Sequence, residues 1–342
     1  MMTPPDIRNK PVVPVSLITT MYNEEKSVND FLRSVIAMTV LPKEIVIVDG
    51  GSKDRTQEFL TEFSNEYRGI MEIRIIIDPT CTIYHTPAPI AKGRNIAIAA
   101  AQFPVIAVTD AGCIVAEAWL DEITRPFFAS EDVDFVAGWY EPLAKSFFEE
   151  CQAAATFPAV RTVNVETFLP SSRSVAFRKS LWSAVGGYPE LALGGEDTLF
   201  DLKIKAVARK RVFAAAAVVY WRLRPNYRVF MKLVYRYGFG DGFSRILMMN
   251  AVKNIIKLGV VLVLAVLSAV HSLAWMVPLF MVLWLLPFIG HIRGAFVIRD
   301  IKKYPLISLL KISANTAYLT GYFVGLATKE HPTFEKVNDH AH

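Results

Sequence analysis

Four clusters in the 342-residue chain combine acidic and small polar residues in patterns that suggest chemistry. They are Thr20-Met21-Tyr22-Asn23-Glu24, Asp49-Gly50-Gly51-Ser52-Lys53-Asp54, Asp110-Ala111-Gly112, and Glu196-Asp197 after Gly194-Gly195. Carboxylates gathered at one place repel each other unless a cation or hydrogen-bond donors sit among them. A divalent ion carrying a nucleotide meets that need, and the remaining carboxylates accept from base and ribose donors. Each cluster has a plainer reading as well. Asp49 to Ser52 is equally a turn with a helix cap, and Asp110-Ala111-Gly112 a turn at a strand end. Glu196-Asp197 opens a helical pattern, where an acid complements the helix dipole or serves as a general base. Asp201, four residues on, reads as a helix-surface residue or a partner for Lys205. His85 and the other histidines show no ligand pairing, and Cys81, Cys113 and Cys151 have no metal-ligand spacing. So few, unevenly spaced cysteines fit a reducing compartment.

These clusters need a scaffold, and residues 13–208 supply one. Strand-like runs lie at Val15–Thr20, Glu44–Val48, Glu72–Ile77, Val105–Thr109 and Val133–Ala137. Helical patterns lie between them at Val28–Met38, Thr56–Phe63, Ile90–Ala101 and Ala118–Phe128. Continuous Val/Ile runs alternating with helices predict an α/β fold with a mostly parallel, doubly covered sheet. Ligands of such sheets bind beyond the carboxyl ends of the strands. The first three polar clusters fall at those ends.

Composition points to a membrane. The chain is 53% hydrophobic and only 20% charged, with a net charge of +5 and a mean hydropathy of +0.32. Disorder and a disulfide scaffold are excluded. The charge is unevenly placed. Residues 209–253 hold ten Lys and Arg (among them Arg209, Arg222, Arg236 and Lys253) against Asp241, a net +9, so the remainder is −4. Aromatic residues interleave with these cations, which suits an interfacial helix on anionic headgroups rather than nucleic acid. Leu258–Gly290 then contains no Lys, Arg, Asp or Glu. Its 33 residues would make a helix of about 50 Å, longer than the roughly 30 Å hydrocarbon core. A hairpin of two spans, about 254–271 and 273–290, fits better, with a third span at 306–328. Arg293, Arg299, Lys302 and Lys303 in the following loop place that loop and the basic segment on the cytoplasmic side. No basic n-region precedes an apolar run at the N-terminus, so no signal peptide is expected. The expected organisation is an N-terminal tail (1–12), a catalytic domain (13–208), a basic interface segment (209–253), a transmembrane region (254–328) and a tail (329–342). The expected location is the inner or plasma membrane, with the catalytic domain cytoplasmic.

Taken together the motifs resemble family 2 glycosyltransferases. MYNEE (21–25), EIVIVDGGSKDRT (44–56), KGRNIAIAAA (92–101), TDAGC (109–113), FRKSLWSAVGGYPE (177–190) and GGEDTLFDLKIK (194–205) occur in that family's order and spacing. RYGFGDG (236–242) before apolar spans resembles the bacterial subgroup that builds exopolysaccharide or lipid-linked glycans. The resemblance covers residues 13 to about 245. It implies a GT-A fold, a Rossmann-like sheet, which the hydropathy and charge pattern here follows with interfacial helices and about three C-terminal transmembrane helices. It also implies a nucleotide-diphosphate sugar donor.

Carried over residue by residue, the family implies that Tyr22 and Glu24 line the nucleotide pocket and that Asp49 bonds the base or ribose. Lys92 and Arg94 would sit near the diphosphate, where a helix N-terminus with cations suits phosphate. Asp110 matches the first acid of the family's metal motif, implying Mn2+ or Mg2+. Gly112 stands where the second acid belongs, so a metal would have one motif carboxylate. Inverting transfer needs a base for the acceptor proton. The family assigns that task to Asp197, with Glu196 orienting it or the acceptor. Arg236 would reach the diphosphate or an acceptor phosphate, or else bind a headgroup. The Gln-x-x-Arg-Trp motif of processive synthases is missing, since Trp221-Arg222 is reversed and lacks the Gln, which favours single-sugar addition. The implied acceptor is a membrane-embedded, lipid-linked glycan, with polyprenyl phosphate as the alternative. A degenerate nucleotide-binding membrane protein and a transporter component are the readings from other classes.

Overall fold

The structure is a computed structural model and describes residues 7–158, 160, 163–164, 167–191, 194–270, 278 and 300–328. Val/Ile-rich runs with both faces covered pair as parallel strands. β1 (Val12–Met21), β2 (Leu41–Asp49), β3 (Glu72–Ile77) and β4 (Val105–Val108) form such a set, with β1 between β2 and β4. Pro14 cannot donate to a ladder, and the β1–β2 register shifts where it sits, between Val13 and Ser16. Helices α1 (Val28–Ala37), α2 (Thr56–Glu66), α3 (Pro89–Ala100) and α4 (Trp119–Ala129) cover the sheet. Alternation along β2 shows how. Ile45 and Ile47 join Phe31, Leu60 and Trp119 in one core, while Val46 and Val48 join Ala91, Ala97 and Ile98 in the other.

Half of the sheet departs from the expected parallel arrangement. β5 (Cys113–Val115), β6 (Val133–Leu143), β7 (Val175–Arg178) and β8 (Lys210–Arg222) complete the order β3-β2-β1-β4-β7-β6-β8-β5. β7 runs antiparallel to both β4 and β6, and β5 to β8, so the sheet is mixed. Strands of three or four residues, such as β5 and β7, are too short to show a period. β8 is disguised by the helix-favouring run Ala214–Ala217. It also corrects the reading of residues 209–253 as one interfacial segment. Residues 210–222 lie in the sheet, Arg209 pairs with Asp134 at 2.7 Å, and this compact unit extends to Trp221 rather than ending at 208. Two further helices, α6 (Lys179–Ala184) and α7 (Glu196–Val207), belong to the same unit.

A second unit begins at Pro142–Asn164 and resumes at Arg222. It contains α5 (Phe147–Thr156), α8 (Tyr227–Phe243), α9 (Met248–Val270) and α10 (Tyr304–Ala327). α8 and α10 meet backbone to backbone through Gly238 and Gly242 on one helix and Gly321 and Gly325 on the other. A Cβ on Gly238 would lie 2.0 Å from the Tyr318 carbonyl oxygen, and one on Gly321 would lie 2.1 Å from that of Tyr235. Small residues four apart permit this approach. At the same crossing the Tyr318 hydroxyl donates to Asp241 at 2.7 Å.

Among the described residues only α9 is long and apolar enough to cross a membrane. Its 23 residues run about 34 Å. Apolar side chains project outward around it, including Leu262, Val263 and Val270. Among the described residues three spans are therefore not seen. The stretch expected at 273–290 lies, except for residue 278, outside the described residues. The stretch expected at 306–328 is helical, but Ser308, Lys311, Ser313, Asn315, Thr316 and Thr320 interrupt its apolar character.

Candidate active site

The loops after β1 and β2 hold each other in place. Asn23 takes a left-handed φ of 54°, which Asn tolerates better than most residues. Its N–H donates to Ser52 Oγ at 2.8 Å, and its Oδ1 accepts from the Lys53 N–H at 2.8 Å. The Glu24 N–H donates to Thr56 Oγ1 at 2.8 Å, and Ser27 Oγ donates to the Glu24 carboxylate. Asp49 is buried. Its Oδ1 accepts from the N–H groups of Gly51 and Ser52 at 2.8 and 2.7 Å and from Gln57 Nε2 at 3.0 Å. Its Oδ2 accepts from Ser52 Oγ at 2.6 Å. Four donors nearly fill a carboxylate's capacity, so in this structure Asp49 organises its own loop. A Cβ on Gly50 would lie 2.8 Å from the Cys81 carbonyl oxygen and 3.3 Å from the Tyr22 ring, which leaves room only for glycine.

α3 carries Lys92 and Arg94 two residues apart, roughly 200° around a helix. They therefore point in nearly opposite directions. Lys92 is half-buried and faces the Asp78 loop. There it and His85 add to the Thr80 hydrogen bonds that hold the Asp78 carboxyl below its ordinary range. Arg94 points inward, with its side chain only 2% exposed. Its Nη2 binds Asp110 Oδ1 at 2.7 Å, and its Nη1 binds Asp197 Oδ1 at 2.6 Å and reaches Glu196 Oε1 at 3.4 Å. The Tyr188 ring lies 5.3 Å from the guanidinium. Arg94 is thus the cation that the acidic clusters require.

α7 presents the acid pair. Gly194 and Gly195 have φ of 102° and 82°, a backbone route that favours glycine, and the helix starts at Glu196. Asp197 Oδ2 accepts from the Ser172 N–H at 3.1 Å and from Ser171 Oγ at 3.3 Å. Burial raises the Asp197 pKa, but Arg94, Arg173 and the Ser172 hydrogen bonds outweigh it and leave the carboxyl below its ordinary range. Glu196 goes the other way. Burial, then the charge of Asp197, push it up to about 7 against the pull of Arg94. Asp201 is not the surface residue expected from its spacing. It is 2% exposed on the inner face of α7, and its Oδ2 has no hydrogen bond. Burial and then the neighbouring Asp197 raise its pKa well above the ordinary value.

The turn Ser171–Ser174 walls the site, and the sequence reading missed it. The Ser172 hydroxyl pairs with the Tyr188 hydroxyl at 2.9 Å, and Ser174 Oγ accepts from Trp119 Nε1 at 2.9 Å. Arg173 Nε lies 3.7 Å from Asp110 Oδ2, and its Nη1 donates to Ser171 Oγ at 2.7 Å. The signal was an Arg among serines immediately before an apolar strand.

The residues present fit a divalent ion only in part. Asp110 is 29% exposed, Gly112 offers no ligand, and the buried Cys113 thiol is pushed up to about 12 by burial. Among the described residues no three His, Cys, Asp or Glu side chains form a metal cluster. An ion here would take Asp110 and draw its other ligands from phosphate and water. Arg236 lies on α8, in the second unit.

Residues 16–181 match the model of the family described as glycosyl transferase family 2. Over 236 residues the chain is 25% identical to glycosyltransferase AglE of Haloferax volcanii, covering 66% of this chain and 72% of that one. A shorter stretch of 53 residues is 38% identical to poly-beta-1,6-N-acetyl-D-glucosamine synthase of Staphylococcus epidermidis, covering 16% of this chain and 13% of the synthase. The mannosyltransferase PcManGT of Pyrobaculum calidifontis, solved in complex with GDP-Man and Mn2+, has a similar fold. Its TM-score is 0.59 at 17% identity, over 92% of this chain and 89% of that one.

Proposed function

We propose, on the premise that the chain belongs to glycosyl transferase family 2 through residues 16–181, an inverting transfer from a nucleoside-diphosphate sugar to a membrane-embedded, lipid-linked glycan. The observation that carries this reading is the convergence of Asp110, Glu196 and Asp197 on Arg94 at the carboxyl edge of the parallel strands. That edge is where α/β sheets bind nucleotides. Tyr22, Glu24 and Asp49 shape the nucleoside side of the pocket, with Lys92 at the mouth of α3. Asp197, kept ionised by Arg94, accepts the acceptor's hydroxyl proton. A depressed pKa is compatible with that role, because the hydroxyl becomes strongly acidic as its oxygen bonds the sugar carbon. Glu196 orients the acceptor.

A divalent cation, when held by Asp110 and the donor's phosphates, would neutralise charge on the leaving diphosphate. The chain's own residues position Asp110 for it through Arg94. α9 anchors the chain in the inner or plasma membrane, its outward apolar side chains meeting lipid, and keeps the catalytic unit at the cytoplasmic face. The basic residues of α8, Arg236 among them, meet anionic headgroups or an acceptor phosphate. A polyprenyl-phosphate acceptor is the rival. It has no hydroxyl proton to remove, so the acid pair favours a sugar hydroxyl.

The test incubates membranes of an expressing strain with radiolabelled nucleotide sugars, with EDTA or with Mn2+. Label should enter the lipid extract, and mild acid should release it as an oligosaccharide, whereas a sugar held only as a monophosphate ester would be released as the free monosaccharide. Asp197→Asn should abolish transfer while leaving nucleotide-sugar binding intact. Substantial residual turnover in that variant refutes the assignment.

A further inference from the structure

The acceptor proton has a destination in Asp197, but the residues named so far give the leaving group little help. When the bond between the sugar carbon and the β-phosphate oxygen breaks, its electron pair stays on that oxygen. The acceptor oxygen bonds the carbon from the other side and its proton passes to Asp197. The diphosphate therefore gains negative charge in the transition state, beside Asp110, Glu196 and Asp197. Arg94 is saturated by those three acids and sealed from solvent, and Gly112 supplies nothing to hold a metal.

Arg173 is differently placed. Its guanidinium lies 4.1 Å from the Trp221 ring centroid and 5.7 Å from that of Tyr140, so aromatic faces fix its plane. Nε faces Asp110 Oδ2 at 3.7 Å, and Nη1 is held at 2.7 Å by Ser171 Oγ, which itself donates to Asp197. The side chain thus spans the gap between the first metal-motif acid and the acid pair. Unlike Arg94, it keeps an exposed edge, at 16%. A clamped, planar cation next to the carboxylate nearest the expected phosphates matches the geometry by which Arg recognises phosphate.

We propose that Arg173 is a catalytic residue that contacts the donor's β-phosphate and stabilises the diphosphate as it leaves, carrying charge that the family's second metal-motif acid would otherwise hold through a metal. This inference rests on the nucleoside-diphosphate donor proposed above, and the experiment separates the two. Purified full-length protein is titrated calorimetrically with UDP, GDP and dTDP and with the corresponding monophosphates, in EDTA and in Mn2+. Arg173→Met keeps a long apolar stem against Trp221 and removes the charge. It should weaken the preferred diphosphate tenfold or more in both conditions, yet change the monophosphate less than twofold. Arg173→Lys should recover part of the loss. Retained monophosphate binding shows that the variant is folded, and should Arg173→Met fail to fold, Arg173→Lys and Arg173→Gln take the same test. Diphosphate binding within twofold of wild type overturns the proposal, as does a loss confined to Mn2+, which would mean that Arg173 acts only through Asp110. A wild-type protein that binds none of the six nucleotides overturns the donor reading itself.

Discussion

Replacing Arg94 tests whether one buried cation holds the site together. In Arg94→Met the side-chain volume is largely kept, but Asp110, Asp197 and Glu196 lose the guanidinium that binds them at 2.7, 2.6 and 3.4 Å. Breaking a buried ion pair by removing one partner costs about 3–5 kcal/mol. The three carboxylates retain some solvent contact, so the lower end, about 3 kcal/mol, is expected. At roughly 2–4 °C per kcal/mol for a unit of this size, Tm should fall by about 6–12 °C at pH 7. The pH dependence has a definite sign. In the wild type, Asp197 has a depressed pKa, so its stabilisation is present above the unfolded carboxylate pKa and lost as pH falls. In the variant the crowded acids have raised values and are stabilised by protonation. The gap between the two proteins should therefore be widest near pH 8 and shrink towards pH 5. Thermal unfolding followed by circular dichroism at several pH values measures it. Adding Asp197→Asn to Arg94→Met should recover part of the loss, since the two sites share one network. A variant within about 1 °C of wild type at pH 7, or a deficit that does not change between pH 5 and 8, would refute the argument.

Other outcomes follow from the same geometry. Glu196, raised to about 7, binds its proton more tightly in the folded than in the unfolded chain, so its contribution is full below about 4.5 and lost as pH rises through 7. Glu196→Gln should flatten that decline, seen as a smaller drop in Tm between pH 5 and 8 than in wild type. A Cβ at Gly112 meets nothing within 4 Å, so Gly112→Asp should fold with an unchanged Tm. With a second carboxylate it should bind Mn2+ in the presence of nucleoside diphosphate roughly tenfold more tightly by calorimetry. Gly238→Ala and Gly321→Ala drive a methyl into the facing backbone and should each cost about 1–3 kcal/mol or more, read as a loss of Tm in detergent. Gly259→Ala on α9, where a Cβ meets nothing, should not destabilise and should gain up to about 1 kcal/mol from helix propensity.

Some of this molecule is legible in its residue order, because the relevant forces act locally. The Val/Ile runs of β1 to β4 and the amphipathic stretches of α1 to α4 announce themselves through periodicity, and their order puts the Asn23, Asp49 and Asp110 loops on one edge. The apolar character of α9 and the acids opening α7 are local properties too. Motif order sufficed to suggest the family. Other features depend on partners distant in the chain. β5 and β7 are strands only because β8 and β4 offer them hydrogen bonds, and β8 overrides an alanine run that prefers helix when alone. Helix phase turns Arg94 inward and Lys92 outward within a single motif. It also buries Asp201, whose i to i+4 spacing with Lys205 suggested a surface pair. The cation among the acids was required by the sequence, but only the tertiary structure identifies it as Arg94, 16 residues before Asp110 and more than 100 before Asp197. It also brings Arg173 between two aromatic rings to the same place. Charge type and local period are written residue by residue, whereas which charges meet is decided by packing, since only burial makes an unpaired ion costly enough to fix its partner.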